Sequence, residues 1–338
     1  MVYQFKFSPY CRKFKHPLKT HHGTWKTREG IIIRLTNEQG KIAWGEIAPL
    51  SWFGSETLQQ ALEFCQQLPK MLTSELIFEI PDELPACQFG FESALMPKTP
   101  FPKTRFLKET GFLRELKFSG LLPSGNAGLP VFKTLLNQGF RTFKWKIAVH
   151  PISEELQIFK QLTQLILETI NSEREKQEII YLRLDANGGL SWEEANQWLS
   201  VCDEIKSDIL KIEYLEQPLS VDQFAEMLAL SQDYSTAIAL DESVATLQHI
   251  QDCYQQSWRG IFVIKPAIVG SPRKLRKLCL ENSIDAVFSS VFETPVGRQA
   301  ALNLASQLSD PKRAVGFGIG HWFQENDQSW WCELSSTF

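Results

Sequence analysis

Six short apolar runs recur through the second half of the chain, and each closes on residues able to do chemistry. They are Phe143-Lys144-Trp145-Lys146, Tyr181-Leu182-Arg183-Leu184-Asp185, Ile212-Glu213-Tyr214-Leu215-Glu216, Ile238-Ala239-Leu240-Asp241-Glu242, Ile261-Phe262-Val263-Ile264-Lys265 and Ala286-Val287-Phe288-Ser289-Ser290. From Lys146 to Asp185 is 39 residues, and the steps onward to Glu216, Asp241 and Lys265 are 31, 25 and 24. One strand with its crossover helix takes about 30 residues. Parallel strands put their carboxyl ends on one face, so polar strand ends at this period predict the active-site mouth of a parallel barrel.

The period extends in both directions. Strands are predicted near 114–121, 141–149, 179–185, 210–216, 237–241, 260–266, 284–290 and 314–318, with seven helices between them. Helix starts carry their own signals: Ser153 before Glu154-Glu155, Ser191 with Glu194, Ser220 with Gln223, Ser271-Pro272 and Thr294-Pro295. Residues 1 to about 50 read instead as an antiparallel meander turning at Asn37 to Gly40, followed by helical spacing over 56–68 and near Phe89 to Leu95. Strands followed by helices without alternation make an α+β unit. Three divisions result: an α+β capping domain over 1–110, whose Pro- and Lys-rich end is a linker, a barrel over 111–318, and a C-terminal segment, 319–338, packing on the surface.

Bulk numbers narrow the function. A chain of 338 residues has room for a barrel and a smaller domain. Its net charge of -4 offers no footprint for nucleic acid. The basic cluster Arg273 to Lys277 reads as the solvated face of a helix. Seven cysteines form no CxxC pair, which fits a reduced, cytoplasmic setting. No stretch approaches membrane-spanning length, and the N-terminus lacks the apolar core of a signal peptide. A small-molecule substrate is the partner that remains.

Side chains alternate along a strand, so Lys144 and Lys146 share a face, as do Arg183 and Asp185. Glu216 ends its strand while Glu213 points the other way, and Asp241 is preferred to Glu242 by the same reasoning. Asp185, Glu216 and Asp241 then converge from three consecutive strands. Like charges this close cannot all stay ionised without a cation, and all-oxygen ligation favours Mg2+ or Mn2+ over zinc. Lys146 and Lys265 flank the three across the pocket. A cation between opposed lysines suits proton abstraction beside a carboxylate, as in the enolase superfamily. Singly, these acids read as caps and these lysines as solvated; joint placement at successive strand ends carries the reading.

The same residues support a resemblance. The KxK pair Lys144/Lys146, Leu184-Asp185-Ala186-Asn187, Leu215-Glu216-Gln217-Pro218, Leu240-Asp241-Glu242-Ser243 and Ile264-Lys265-Pro266 resemble the muconate-lactonizing subgroup of the enolase superfamily. Within it they resemble the o-succinylbenzoate synthases, as do Gly45-Glu46-Ile47-Ala48-Pro49-Leu50 and Phe89-Gly90-Phe91-Glu92-Ser93-Ala94 in the first domain. The resemblance implies a (β/α)7β modified TIM barrel with an N-terminal α+β cap. It implies Asp185, Glu216 and Asp241 as ligands of Mg2+, and a Mg-dependent syn dehydration of 2-succinyl-6-hydroxy-2,4-cyclohexadiene-1-carboxylate (SHCHC) to 2-succinylbenzoate. Lys146 would be base and then acid, with Lys265 a protonated stabiliser of the enediolate. Lys144 and Asn187 would support them, Lys144 beside Lys146. Gly270, Ser271, Ser289 and Ser290 would bind the succinyl carboxylate. The loop from His22 to Lys26 and the segment Leu50 to Phe53 would close over the pocket.

Gln217 stands where many relatives carry glutamate, with little effect expected because it is no ligand. Glu293 reads equally as a rim residue and as a neighbour of the Thr294 cap. Arg183 and Arg298 read as structural ion-pair residues, and His21, His22 and His321 as loop residues. Three rival readings stand beside the dehydratase: an N-acylamino acid racemase or dipeptide epimerase on the same scaffold, a Schiff-base aldolase using Lys146 or Lys265, and a non-catalytic metal-binding barrel. The C-terminal run Gly316 to His321 lacks the aspartate pair of the epimerases, which argues against that activity.

Overall fold

The computed structural model describes residues 1–20, 23–96, 116–172, 178–318 and 322–338. Four strands, β1 (Val2–Thr20), β2 (Gly23–Asn37), β3 (Ile42–Ile47) and β4 (Met71–Thr73), form an antiparallel sheet ordered β3-β2-β1-β4. The turn after β2 forms as predicted, with Asn37 Oδ1 accepting from the amides of Gln39 (3.0 Å) and Lys41 (2.8 Å). Three consecutive isoleucines, Ile31 to Ile33, are all fully buried, so both faces of β2 are covered. Ile31 and Ile33 belong to the main core, while Ile32 packs with Tyr10, Val296 and Trp330 on the other side.

The helix Pro85–Leu95 is the wedge between this sheet and the rest, with Pro85 through Ala94 all buried. Its first amides, Ala86 and Cys87, donate to the Glu56 carboxylate at 2.9 and 2.7 Å. Gly45 on β3 lies so close to this helix that a Cβ there would stand 2.0 Å from the Gly90 carbonyl oxygen. Only a glycine allows two backbones that approach.

Seven parallel strands follow in chain order: β5 (Ser119–Leu122), β6 (Thr142–Lys146), β7 (Ile180–Asp185), β8 (Leu210–Glu216), β9 (Ile238–Leu240), β10 (Ile261–Ile264) and β11 (Ala286–Phe288). The stretch predicted as an eighth strand contributes two parallel bridges. Val315 pairs with Phe118 and Gly316 with Ser289, which closes the ring between β11 and the start of β5. The crossover helices are Gly128–Asn137, Ile152–Ser172, Trp192–Asp203, Phe224–Asp233, Leu247–Gln255, Pro272–Asn282 and Pro295–Leu308. This is the (β/α)7β barrel with an α+β cap.

Some local expectations change. The Ser191–Glu194 capping box forms, but Ser220 turns its hydroxyl to Asp222 and Gln223 ahead of a 3-10 turn. Ser153 lies inside a helix that begins at Ile152. The amides before that helix are served by Glu155, which accepts from Ala148, Val149 and His150 at 2.8 to 3.0 Å. Positions 97–115, including most of the predicted linker, lie outside the described residues, as do His21, His22 and His321.

The C-terminal segment is more ordered than its sequence suggested. Asp327–Ser335 is a helix capped by Asn326, and Trp330 packs into the cluster under β1 and β2. Arg12, almost fully buried, stacks 4.1 Å over Phe323 and 4.7 Å over Trp330 while bonding Asp327 and the Glu325 carbonyl, each at 3.0 Å. No described helix is long and apolar enough to cross a membrane.

Two carboxylates of the first unit fasten it to barrel helices. Glu46, with no exposed surface, accepts from Tyr10 Oη (2.5 Å), the Thr294 amide (2.9 Å), the Gly297 amide (2.8 Å) and the Thr294 hydroxyl. It therefore sits on the amino end of Pro295–Leu308. Glu92 does the same for Pro272–Asn282, accepting from the Ser271 hydroxyl (2.6 Å) and the Arg273 amide (3.2 Å). An anion at a helix amino terminus completes free N–H groups and meets a favourable dipole. Glu46→Ala strands those donors in a buried seam and should cost about 3 kcal/mol or more, read as a lowered urea midpoint at unchanged slope.

Candidate active site

Strand alternation explains which side chains reach the barrel mouth. On β6, Phe143 and Trp145 are fully buried against helices, meeting Phe132 at 4.8 Å and Trp198 at 6.1 Å between ring centroids. Lys144 and Lys146 take the opposite face. Parallel register then sets Lys146 level with Asp185, and Asp185 level with Glu216. Glu216 pairs with Ala239, so Asp241 comes two residues later, on the same face. Lys265 follows directly after β10.

These residues meet a cavity of about 690 Å3, whose polar side carries Lys144, Lys146, Asp185, Asn187, Asp241, Glu242 and Lys265. Its other side is apolar: Leu18, Trp25, Leu50, Trp52, Phe53 and Phe292, mostly from the first unit. Trp25 is edge-on to Trp52 (5.1 Å) and Phe292 (5.5 Å), and the Phe53 ring stands 3.8 Å from Lys265 Nζ. Glu216 lies beneath the floor with no exposed surface.

Charge balance governs the floor. Lys144 Nζ joins Asp185 (2.9 Å) to Glu216 (2.7 Å), and Lys265 pairs with Asp241. Burial alone would lower the Lys144 pKa, but Asp185, Glu216 and Asp241 together hold it well above the usual lysine range. Burial would raise Asp185, yet the Lys144 charge and hydrogen bond keep it below the usual carboxylate value. Glu216 goes the other way: burial, with repulsion from Asp185 and Asp241, raises it well above that value despite Lys144. Glu216 is the most enclosed of the three acids, so burial weighs most on it. Lys146 has no ion pair among the described residues and faces the cavity.

Among the described residues no three His, Cys, Asp or Glu side chains stand in metal-coordinating geometry. The ammoniums of Lys144 and Lys265 lie among the acids and supply the counter-charge instead. The residues nevertheless suit a hard divalent ion. The donors are all carboxylate oxygens, and buried Glu216 Oε2 has no hydrogen-bond partner, an arrangement that costs free energy unless a cation or donor meets it.

Several sequence expectations need correction. Gly270 and Ser271 do not line the cavity. Ser271 is fully buried, its hydroxyl given to Glu92 and accepting from the Lys274 amide, so it fastens the cap. Gly270 lies against Gln88 and Leu247. Ser289 and Ser290 do reach the wall, although Ser290 already donates to Glu293 at 2.8 Å. Glu293 is buried behind it and outside the lining. Lys144 turns to Asp185 and Glu216, so its role is to neutralise acids as well as to neighbour Lys146. Asn187, at φ 45, donates to Glu242 Oε1 at 3.1 Å. Arg183 is structural: it pairs with Glu213 (2.7 Å) inside the ring. Sequence reasoning passed over Glu242, which lines the cavity beside the chosen Asp241, and the aromatic wall, whose members are scattered from Trp25 to Phe292 and converge only in three dimensions.

Comparison with known proteins agrees across the chain. Residues 131–330 match the enolase C-terminal domain-like family, and residues 5–98 match the MenC N-terminal domain. An o-succinylbenzoate synthase of Thermosynechococcus vestitus is 39% identical over 316 residues, spanning 93% of this chain and 91% of that protein. Another, from Edwardsiella ictaluri, is 28% identical over 84% of this chain and 80% of its own. A solved o-succinylbenzoate synthase of Thermosynechococcus elongatus, complexed with magnesium in its active site, superposes with a TM-score of 0.83 at 35% identity, covering 99% of this chain and all of that one. A dipeptide epimerase from Enterococcus faecalis, at TM-score 0.75 and 18% identity, shares the fold.

Glu242 gives the site a pH signature. Burial, then the Asp241 charge, raise its pKa from 4.5 to about 7, with Lys265 opposing. A carboxyl raised in the folded state contributes stability that is full below about pH 4.5 and lost as pH rises through about 7. In EDTA, the wild-type chain should lose up to about 3 kcal/mol more across that window than Glu242→Gln, compared by urea titrations at each pH.

Proposed function

The chain belongs to the o-succinylbenzoate synthase family of the enolase superfamily, and from that premise we propose that it dehydrates SHCHC to 2-succinylbenzoate. The observation that carries the site assignment is the row of Lys146, Asp185 and Glu216 held level by parallel pairing, with Asp241 and Lys265 beyond it. Lys146 takes the proton α to the ring carboxylate, leaving an enediolate. It then returns that proton to the departing hydroxyl on the same face, so the C–H and C–O bonds break, water leaves and the ring becomes aromatic. Lys265 stays an ammonium and faces the charge that develops; its 3.8 Å approach to the Phe53 ring is the geometry of a cation over a π-face.

Asp185, Glu216 and Asp241 would hold Mg2+, or Mn2+ in its place, and Lys144 would keep Asp185 ionised while offsetting part of the burial cost of Glu216. When bound, the ion supplies Lewis-acid stabilisation of negative charge on a substrate carboxylate. Asn187 would steady Glu242 at the edge. Ser289, with Ser290 beside it, would meet the succinyl carboxylate, and the apolar wall from Trp25 to Phe53 would take the ring and exclude water. We further propose residues 1–110 as the cap, 111–318 as the catalytic barrel and 319–338 as a C-terminal clasp. A cytoplasmic setting is supported by seven cysteines without a disulfide.

Purified enzyme should dehydrate SHCHC only with Mg2+ or Mn2+ present. Lys146→Ala should lose about 1000-fold or more in kcat, and Lys265→Ala about 100-fold or more, with product formation followed by absorbance. Either variant at wild-type rate would reject its assigned role. Mg2+ at about 100 times its dissociation constant should add about 2.7 kcal/mol of stability. The gain should disappear in EDTA during a thermal melt.

A further inference from the structure

Gln217 follows Glu216 with a left-handed backbone (φ 38) and no exposed surface. Its side-chain amide is engaged at both atoms. Oε1 accepts from the amides of Asp241 (3.0 Å) and Ser243 (3.2 Å). Nε2 donates to the Leu219 carbonyl (3.0 Å) and the Ser243 hydroxyl (2.8 Å).

Asp241 has need of such support. β9 is three residues long, and its ladder partners end at Ala239 and Leu240. Asp241 already belongs to the start of the 3-10 turn Glu242–Val244. Its amide therefore donates to the Gln217 side chain in place of a neighbouring strand. The Gln217 backbone amide in turn donates to the Ala239 carbonyl at 2.7 Å, so the ends of β8 and β9 are tied twice. A neutral amide suits the position because both donor and acceptor are used. A carboxylate would keep the acceptor for the Asp241 and Ser243 amides and give up only the donation to the Leu219 carbonyl and the Ser243 hydroxyl.

We infer that Gln217 is a positioning residue: it fixes the backbone that carries Asp241, and so sets how tightly the site holds a divalent cation. The inference rests on the reading that Asp185, Glu216 and Asp241 are the ligands. Residues that orient a ligand are worth about 10- to 100-fold in metal affinity, and Gln217 itself does not line the cavity.

Mn2+ binding followed by electron paramagnetic resonance tests this without relying on turnover. Gln217→Met removes the acceptor at similar volume, and Gln217→Asn withdraws it by one methylene with less disturbance of packing. Gln217→Glu restores it. With circular dichroism confirming the fold, the Met and Asn variants should each bind Mn2+ about 10-fold or more weakly, and the Glu variant within about threefold of wild type or more tightly. Wild-type affinity in the Met or Asn variant would overturn the inference. So would a Glu variant as weak as Met. Asp241→Asn serves as the reference: if it binds Mn2+ like wild type, the ligand assignment has failed, whereas weakening there alone isolates the failure to Gln217.

Discussion

Three carboxylates held at the ends of β7, β8 and β9 can remain ionised only if positive charge stands among them. In a low-dielectric interior the repulsion between them exceeds what distant solvent can screen. The chain answers with two lysines. Lys144 reaches two acids at once from the neighbouring strand, and Lys265 meets the third from β10. Everything that keeps the strands in register serves this arrangement. A one-residue slip of β7 would turn Asp185 toward the helices and bring an apolar neighbour to the mouth. The outward face of β6, with Phe143 and Trp145 locked among helices, resists such a slip.

Parallel architecture was legible because its signal is local and repeated. Each strand states its own period, and each ends on a polar residue whose direction follows from alternation. The choice of Glu216 over Glu213 rests on this alternation, but a register shift against β7 falls at Glu213 and brings it to Arg183, on the Asp185 face, and to Arg313, neither of which lines the cavity. Ser271 shows where such reasoning stops. Its cap role was readable from Ser271-Pro272, and the structure has it accepting from the Lys274 amide. That Glu92, 179 positions earlier in the chain, takes its hydroxyl was not readable. The resemblance implied an anion at Gly270 and Ser271, and the anion that meets this helix start is the protein's own Glu92.

Long-range packing explains the remaining surprises. The helix Asp327–Ser335 is too short to declare itself by period, and its stability comes from Tyr10, Trp44 and the buried Arg12 rather than from its own sequence. The apolar wall of the cavity likewise draws on β1, β2, the turn at Trp52-Phe53 and the loop at Phe292. Aromatic content in the sequence signalled ample core stock, but only the docking of one unit on the other makes a wall of it. Gln217 is a similar case. A residue next to Glu216 carries no signal of its own in the sequence, and its amide bridges two strand ends only in the fold.

The seam between the units bears on how small molecules get in and out. Glu46 and Glu92 are seated on two different barrel helices, and Gly45 touches the backbone of the wedge helix with no room for a side chain. A body riveted at two separated points cannot swing as a whole. The side chains at the rim, Leu18, Trp25, Leu50, Trp52 and Phe53, are the part of the first unit that faces the cavity without taking part in those two seats. Remodelling the tolerance of this scaffold for bulkier guests is therefore a task for those rim segments, because a transplanted cap would arrive without its matching helix ends.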